Sequence, residues 1–373
     1  MTIFAEELQA AALRLHGYLT QRHAEGALRG PDPGIRFNAR IGRFVKSYLS
    51  FLPWRDRYAY MQAQGYWIKS NWLLLDQIPA ARELALAASD YVLAAQQPEG
   101  YWDYPNPEWR MRIATVEGCF ASIGLLESYL HAGRDAYRQA ADKWYRYVLE
   151  EIGFQRASSG LAVNYFAHSE GLRVPNNSTL VLYFLAKLKE ATGDDRYLEK
   201  APSLISWLYD VQLESGELPY GVRGAPDGAG DWIHFLCYQY NAFEFMDLVI
   251  YYRLTGDASV FDILRPLARY LAGGLTPAGF AKYDCHHDTP EVPYYTLAVA
   301  QALSQASELG LGDFDRLVTR AYRQVLDKQR ANGRFAYHSR ANYGVLSDRR
   351  SYPRYLSMML FHLLLAAKYR VRS

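Results

Sequence analysis

Two kinds of hydrophobic pattern alternate along this chain, and both have the period of an α-helix. In residues 141–152, Trp144, Tyr147, Val148 and Ile152 recur at helical spacing, with the charged Arg146 and Glu150 between them. This first pattern predicts an amphipathic helix that buries one face. It occupies residues 80–96, 137–152, 197–212, 260–271 and 314–329.

The second pattern is apolar nearly all round, as in VLYFLAKL and LSMMLFHLLLAAKY, and is typical of helices buried on two sides. Each copy follows a copy of the first pattern, in residues 113–130, 179–188, 235–252, 295–309 and 355–369. Residues 5–22 and 60–76 form the first predicted pair. We therefore predict six helical hairpins, each with an amphipathic outer helix and an apolar inner helix.

A short phrase with a glycine and a tyrosine follows each outer helix after the first. Three copies are similar, QQPEGYWDY (96–104), QLESGELPY (212–220) and QRANGRFAY (329–337), while SSGLAVNY and PAGFAKY are looser. Their glycines, at positions 100, 160, 216, 279 and 333, recur every 54 to 63 residues, a period that indicates repeated supersecondary units. We predict an all-α fold, an (α/α)6 toroid formed by residues 1–373 as one domain. An open helical solenoid is the alternative.

The connections between the predicted helices alternate in length. Inner-to-outer links are short and contain HAGRD, ATGDD, LTGDA and LGLGD, in which glycine ends one helix and aspartate begins the next as an N-cap. Outer-to-inner links are long, so the long segments should share one face of the ring, where functional residues concentrate. The N-termini of the inner helices meet on that face, and their unpaired N–H groups favour an anionic or strongly polar ligand.

Composition narrows the classes of function. The net charge of +2 gives no reason to expect general affinity for nucleic acid. The segment MTIFAEELQAAALRL does not resemble a secretory signal, and the longest apolar run is too short to span a bilayer. Three cysteines form no spaced framework. We expect a cytoplasmic protein with no nucleic-acid partner and no membrane span, and its oligomeric state stays open.

Aromatic residues are frequent, with 31 Tyr, 8 Trp and 16 Phe. In the long segments they alternate with arginines, histidines and carboxylates. Aromatic faces suit sugar rings, and arginine pairs with a carboxylate through two hydrogen bonds. The predicted substrate-binding residues are Arg36, Arg40, Trp102, Tyr104, Arg110, Tyr165, Asn177, Tyr220, Arg223, His234, Tyr238, Tyr295, His338, Arg340, Arg350 and Tyr352.

Groups able to transfer protons concentrate in the sequence DCHHD, residues 284–288. Histidine titrates near neutral pH, which suits a general acid or base. Asp, Cys and His also bind zinc, but adjacent side chains diverge, and a hydrogen-bonded structural loop is a further alternative. We expect no metal and no other cofactor. The predicted catalytic residues are Tyr283, His286, His287, Tyr337, Asp103 and Asp231.

The phrase QQPEGYW resembles the Q-x-x-x-G-x-W repeat of the terpenoid cyclase and protein prenyltransferase toroids, a resemblance that concerns the fold. The Asp-x-Asp-Asp acid motif of hopene-type cyclases is absent from the chain. Zinc prenyltransferases use an Asp-x-Cys pair with a distant histidine, whereas Asp284 and Cys285 are adjacent here. Both departures count against a terpenoid function.

Throughout its length, and in its tyrosine-rich loops, the chain is also similar to carbohydrate-active α/α-toroid proteins. These include six-hairpin glycosidases, polysaccharide lyases and the helical domain of glucuronyl C5-epimerases. The segment GPDPGIRFNARIGRFVKSYLSFLPWRDRYAYMQAQGYW, residues 30–67, resembles proteins encoded in bacterial exopolysaccharide gene clusters. The resemblance includes no catalytic motif, so it assigns no catalytic residue.

This similarity implies a protein that acts on, or binds, an acidic oligosaccharide or polysaccharide in bacterial polysaccharide metabolism. The predicted chemistry is removal of the C5 proton of a uronate, giving epimerisation or β-elimination, with Arg340, Arg350 or Arg36 neutralising the carboxylate. The alternatives are a glycoside hydrolase, a terpenoid-type toroid and a non-catalytic carbohydrate-binding scaffold. Two carboxyl groups about 5–9.5 Å apart in the central pit would favour hydrolysis.

Overall fold

Twelve α-helices in six consecutive pairs dominate the computed structural model, which describes residues 2–34, 45, 48–49, 56–157, 159–224, 231–341 and 346–372. The outer helices are α1 (Thr2–Thr20), α3 (Ala81–Ala94), α5 (Asp135–Tyr147), α7 (Ala201–Val211), α9 (Phe261–Gly273) and α11 (Asp315–Leu326). The inner helices are α2 (Met61–Leu73), α4 (Thr115–Ala132), α6 (Pro175–Thr192), α8 (Cys237–Thr255), α10 (Pro293–Glu308) and α12 (Pro353–Arg372).

The inner helices form a closed ring. Each packs against the next in chain order, and α12 packs against α2 as well as against the first outer helix, α1. Their apolar surfaces are buried on two sides, as in α6, where thirteen of eighteen residues are buried. Closure of the ring confirms the predicted (α/α)6 toroid over an open solenoid.

The glutamine that opens each close copy of the repeated phrase links neighbouring outer helices. Gln212 Nε2 donates to the carbonyl of Gly216 at 2.9 Å and to that of Ile263, in α9, at 3.0 Å. Gln96 makes the same pair of bonds to Gly100 and to Ala140 in α5. The last copy closes the circle because Gln329 bonds the carbonyls of Gly333 and Ala11, in α1.

The glycine of the phrase is required by the close approach of the next outer helix. Gly216 has φ +90°, and a Cβ there would lie 2.2 Å from the carbonyl oxygen of Pro266. Gly333 has φ +86°, with the Arg14 carbonyl oxygen at the same distance. A side chain at either position would meet both backbone strain and a collision. The phrase is therefore a packing device of the toroid.

Replacing Gln212 by leucine should lower the free energy of unfolding by about 1–3 kcal/mol, because two carbonyls lose a donor in a partly buried site. Urea unfolding measures this. Gln139→Leu is the matched control, since Gln139 is exposed on α5 and donates to the exposed Asp135. Equal effects of the two substitutions would show that the bridge contributes nothing specific.

Three small antiparallel hairpins, not expected in an all-α chain, lie in the long connections before α2, α6 and α8. They pair β1 (His23–Ala24) with β2 (Ala27–Leu28), β3 (Phe154–Arg156) with β4 (Leu161–Val163), and β5 (Gly221–Arg223) with β6 (Asp231–Ile233). A chain that turns back within a long connection satisfies its own backbone groups in this way. The hairpins support the rim from which the inner helices begin.

The short connections largely follow the predicted glycine–aspartate pattern. Gly193 ends α6 in the left-handed conformation, and Asp194 then accepts from the N–H of Arg196. The connection after α4 differs, because Arg134 occupies the N-cap position and Asp135 lies in the first turn of α5, where it binds Arg138. Among the described helices, none has both the length and the apolar character needed to cross a membrane.

Candidate functional site

A central pocket opens where the first turns of all six inner helices converge. Each of these helices contributes at least one lining side chain, and the connections before α6 and α8 add the others. The described lining residues are Gln62, Tyr66, Val116, Phe120, Tyr165, Val174, Asn176, Asn177, Leu180, Tyr220, Gln239, Tyr240, Phe243, Asp247, Tyr294, Arg354 and Tyr355. The converging helix N-termini give the pocket a positive electrostatic bias.

Tyrosines form much of the wall. Tyr220 and Tyr240 meet edge to face with ring centroids 4.9 Å apart, and Tyr294 and Tyr355 meet similarly at 5.0 Å. Burial raises the pKa of Tyr240, Tyr294 and Tyr355 well above the usual value, so these phenols are protonated at neutral pH. The wall thus presents aromatic edges and hydroxyl donors, which suits a polyhydroxylated ligand.

Arg354, in the first turn of α12, is the cation of the central pocket wall. Its Nε donates to Gln62 Oε1 at 2.7 Å, its Nη1 lies 3.5 Å from a carboxylate oxygen of the buried Asp32, and its guanidinium lies over the Tyr60 ring at 4.4 Å. These contacts hold the side chain in one orientation while part of it stays open to the pocket. A fixed guanidinium can bind a carboxylate without first being ordered.

Asp247 supplies a carboxyl group deep in the central pocket, on the third turn of α8. Burial raises its pKa to about 8, an effect that the nearby Lys69 charge and a hydrogen bond from Thr179 Oγ1 oppose. Asp247 is the single carboxylate among the described residues that line this pocket. A carboxyl group with a pKa near neutrality can take up or release a proton during a reaction.

Buried basic groups lie near Asp247, outside the described lining of the central pocket. Lys69 Nζ lies 4.2 Å from the centroid of Phe361 and 4.5 Å from that of Tyr66, and burial lowers its pKa to about 8. His362 contacts the same Tyr66 ring, and burial lowers its pKa to about 3, so the imidazole is neutral. A carboxyl group and an amine, each with a pKa of about 8, thus lie near a neutral histidine.

Glu117, in the first turn of α4, has a structural role. Its Oε2 accepts the backbone N–H of Met61, the first residue of α2, at 2.5 Å. Burial raises its pKa to about 7, although Arg354 and the Met61 N–H oppose the rise. Glu117 therefore stabilises the N-terminus of α2 behind the pocket wall.

A second pocket, here called the arginine pocket, lies beside the first, since Pro353 lines it and the adjacent Arg354 lines the central pocket. Asp56 is the only carboxylate among its described lining residues. Burial lowers the pKa of Arg350, and the neighbouring Arg334 charge adds to this. Its cations are Arg22, Arg29, Arg57, Arg334 and Arg350. A cavity so rich in arginine suits an anionic ligand.

The structure brings four of the predicted site residues to the central pocket. Tyr165, Asn177 and Tyr220 line it. Tyr104 lies immediately behind, against Arg354, and burial raises its pKa to about 12. Arg350 lies in the arginine pocket.

Several predicted residues are corrected to packing roles because their side chains are buried away from the pocket lining. Trp102 is fully buried, its Nε1 donates to the Val92 carbonyl, and its ring meets Trp144. Tyr352 is also buried and donates to Asp348. Tyr238, Tyr295 and His338 are buried as well. None of these five residues belongs to the described lining of the central pocket.

Other predicted residues are exposed or lie outside the described lining of the central pocket. Asp103, Arg110, Arg223, Asp231, His286 and His287 are exposed, and Asp103 accepts from Gln97 while His287 faces Asp284. Tyr283 packs on Tyr295, Tyr337 packs on Tyr355, and Arg340 lies over Phe280. Arg36 and Arg40 fall outside the described residues.

The loop residue His234 lies beside two cysteines. One ring nitrogen of His234, Cys237 Sγ and Cys285 Sγ all lie within 4.8 Å of one another. Among the described residues, this is the group of side chains whose arrangement could hold a metal ion. Cys285 belongs to the DCHHD segment. His234 lies in the connection before α8, and Cys237 is the first residue of α8.

Four polar residues that line the central pocket are absent from the predicted site residues, namely Asp247, Arg354, Gln62 and Gln239. The prediction drew on the long connections, whereas these four side chains lie on the inner helices. A signal was available, because a polar residue in an otherwise apolar helix needs a reason to be there. Asp247 in FMDLVIYY and Gln239 in CYQYNAF are examples.

No protein-family model matches this chain, and no curated protein matches its sequence. Solved structures do. Cellobiose 2-epimerase from Bacillus thermoamylovorans has a TM-score of 0.75 and 14% identity, over 98% of this chain and 100% of that chain. A possible member of glycoside hydrolase family 105 from Klebsiella pneumoniae has a TM-score of 0.68 and 14% identity, over 98% of this chain and 94% of that chain. A polysaccharide lyase has a TM-score of 0.63 and 13% identity, over 89% of this chain and 96% of that chain.

These structural neighbours are carbohydrate-active α/α toroids, which confirms the predicted fold and the predicted resemblance. Their identities to this chain are low, so the likeness concerns the fold alone. Their names cover an epimerase, a glycoside hydrolase family and a lyase. These names therefore assign no reaction to this chain.

Proposed function

We propose that this protein is an enzyme that binds an acidic saccharide in the central pocket and removes a proton from the carbon next to its carboxylate. On a uronate this step occurs at C5 and leads to epimerisation or β-elimination. The observation that carries the proposal is the pairing, in one pocket, of a carboxyl group with a pKa of about 8, Asp247, and a pre-oriented arginine, Arg354. Proton abstraction beside a carboxylate needs both functions.

Asp247 is assigned the role of base. The C5 proton is weakly acidic, and a base whose pKa is near the operating pH combines proton affinity with an ionised fraction. Lys69, which opposes the rise of the Asp247 pKa, helps the ionised form to persist. This assignment replaces the histidines of the DCHHD segment, which are exposed.

Arg354 is assigned to the substrate carboxylate. Charge neutralisation by a guanidinium stabilises the negative charge that develops when the neighbouring carbon loses its proton. The adjoining arginine pocket supports the choice of an acidic ligand, because a chain of uronates that leaves the central pocket over Pro353 would meet Arg350 and Arg334. Tyrosines such as Tyr220 and Tyr240 would contact the sugar faces.

The alternatives fit the central pocket less well. The usual glycosidase mechanism needs two carboxyl groups, and the described lining supplies one. A terpenoid site would be dry and aromatic, whereas this lining includes Arg354, Asp247, Gln62 and Gln239. A non-catalytic scaffold gives no reason for a carboxyl group with a raised pKa to line the same pocket as an oriented arginine.

Two measurements test the proposal. In a thermal-shift screen of uronate oligosaccharides, neutral oligosaccharides and prenyl diphosphates, the uronates should raise Tm, since a ligand at 100 times its Kd stabilises by about 2.7 kcal/mol. Arg354→Gln should abolish the shift, and Arg138→Gln, on the surface of α5, should preserve it. For bound uronates, NMR in D2O should then detect deuterium at C5 or an unsaturated product. Stabilisation by prenyl diphosphates alone, or bound uronates without either change, would contradict the proposal.

A further inference from the structure

We propose that His234, Cys237 and Cys285 form a binding site for a thiophilic divalent metal ion, of which Zn²⁺ is the fitting example. The site lies where the connections before α8 and α10 meet, apart from the described lining of the central pocket. It does not depend on the proposed reaction.

The spacing of the three ligand atoms suits one ion. They lie within 4.8 Å of one another, and the two sulfurs are 2.8 Å apart. Tetrahedral bonds of about 2.3 Å to sulfur and about 2.0 Å to nitrogen place ligand atoms about 3.5–3.8 Å apart. The distance between the two sulfurs would have to increase by about 1 Å to reach that geometry. Two sulfurs with one imidazole are a donor set typical of zinc.

Glu217 provides the outer contact that metal-bound histidines usually make. Its Oε1 faces His234 Nδ1 at 2.9 Å, and the glutamate side chain is almost fully buried. This contact assigns the proton to Nδ1 and leaves Nε2 as the nitrogen for the ion. A buried carboxylate also adds negative charge beside the cation.

The backbone holds both cysteines in defined segments. Cys237 is the first residue of α8 and is buried. Cys285 lies in a turn that Asp284 organises, since its Oδ1 accepts the N–H groups of His286 and His287 at 2.8 Å each. The metal would therefore tie the turn before α10 to the start of α8. The fourth position is left for water or for His286, whose ring centroid is 6.4 Å from that of His234.

The test uses the full-length reduced protein and Co²⁺ as a spectroscopic probe. We expect one Co²⁺ per chain with a thiolate-to-cobalt charge-transfer band in the near ultraviolet, which Zn²⁺ removes by displacement. Cys237→Ser and Cys285→Ser should each abolish the band. Glu217→Gln should weaken Co²⁺ binding by about 10–100-fold through the histidine it orients. Cys119→Ala, in the core of α4, is the matched control and should retain the band.

Circular dichroism establishes that each variant is folded before titration. Absence of the charge-transfer band from the folded, reduced protein would overturn the proposal. So would a band that survives in either Cys237→Ser or Cys285→Ser. A disulfide between the two cysteines is the competing arrangement: a mass two hydrogens lower before reduction, together with no metal binding after reduction, would establish it instead.

Discussion

Asp247→Asn is expected to lower turnover of the acidic saccharide by about 10²–10⁴-fold, the range that a positioned general base contributes. Asparagine keeps the size and the polarity of the side chain, but it cannot accept the substrate proton. The rate constant kcat should therefore fall, while the uronate-induced thermal shift, which depends on Arg354, should persist. Product formation at saturating substrate measures the first quantity.

The pH dependence gives the same prediction a second readout. Because the base must be ionised and its pKa is raised to about 8, kcat of the parent protein should increase with pH up to about 8. The residual kcat of the Asp247→Asn variant should not show this increase with pH. Asp262→Asn, on the exposed surface of α9, is the control and should keep the parental profile. A parental rate and profile in Asp247→Asn would remove Asp247 from the mechanism.

The toroid was predictable from the sequence because its determinants are local and repeated. An amphipathic helix followed by an apolar helix, six times over, can bury its surfaces only against neighbouring copies. The repeated phrase sets the distance between neighbouring outer helices. Its glutamine and glycine contact the next outer helix, as Gln212 and Gly216 contact α9. The last copy of the phrase also links the two ends of the ring, since Gln329 donates to the Ala11 carbonyl in α1.

The pocket was less predictable because its members come together only through the tertiary structure. Asp247, Lys69 and Arg354 lie on three different inner helices, and the pKa of Asp247 depends on the Lys69 charge. Local composition also gave a wrong prediction for Trp102. Its position in an aromatic loop suggested that it stacks on a sugar ring, yet the ring fills the gap between outer helices. Tyr165 and Tyr220, from copies of the same phrase, reach the pocket instead.

The placement of Asp247 also has a cost in stability, which the same substitution should reveal. Burial raises the folded-state pKa from its ordinary value of 3.8 to about 8, so between these values the unfolded chain carries an ionised aspartate and the folded protein a protonated one. Folding then takes up a proton, and the contribution of Asp247 to stability, fully present below pH 4, is lost as the pH rises towards 8. Asparagine has no such dependence.

Asp247→Asn should therefore be increasingly more stable than the parent as the pH rises. The difference in unfolding free energy should grow by at most about 1.4 kcal/mol per pH unit between pH 5 and 7, the value for one proton. Urea unfolding at several pH values measures it, with Asp262→Asn as the control that should show no trend. A constant difference across this range would mean that Asp247 is ionised in the folded protein. An aspartate that ionises so readily would be a weak base, and the proton abstraction assigned to it would then need another residue.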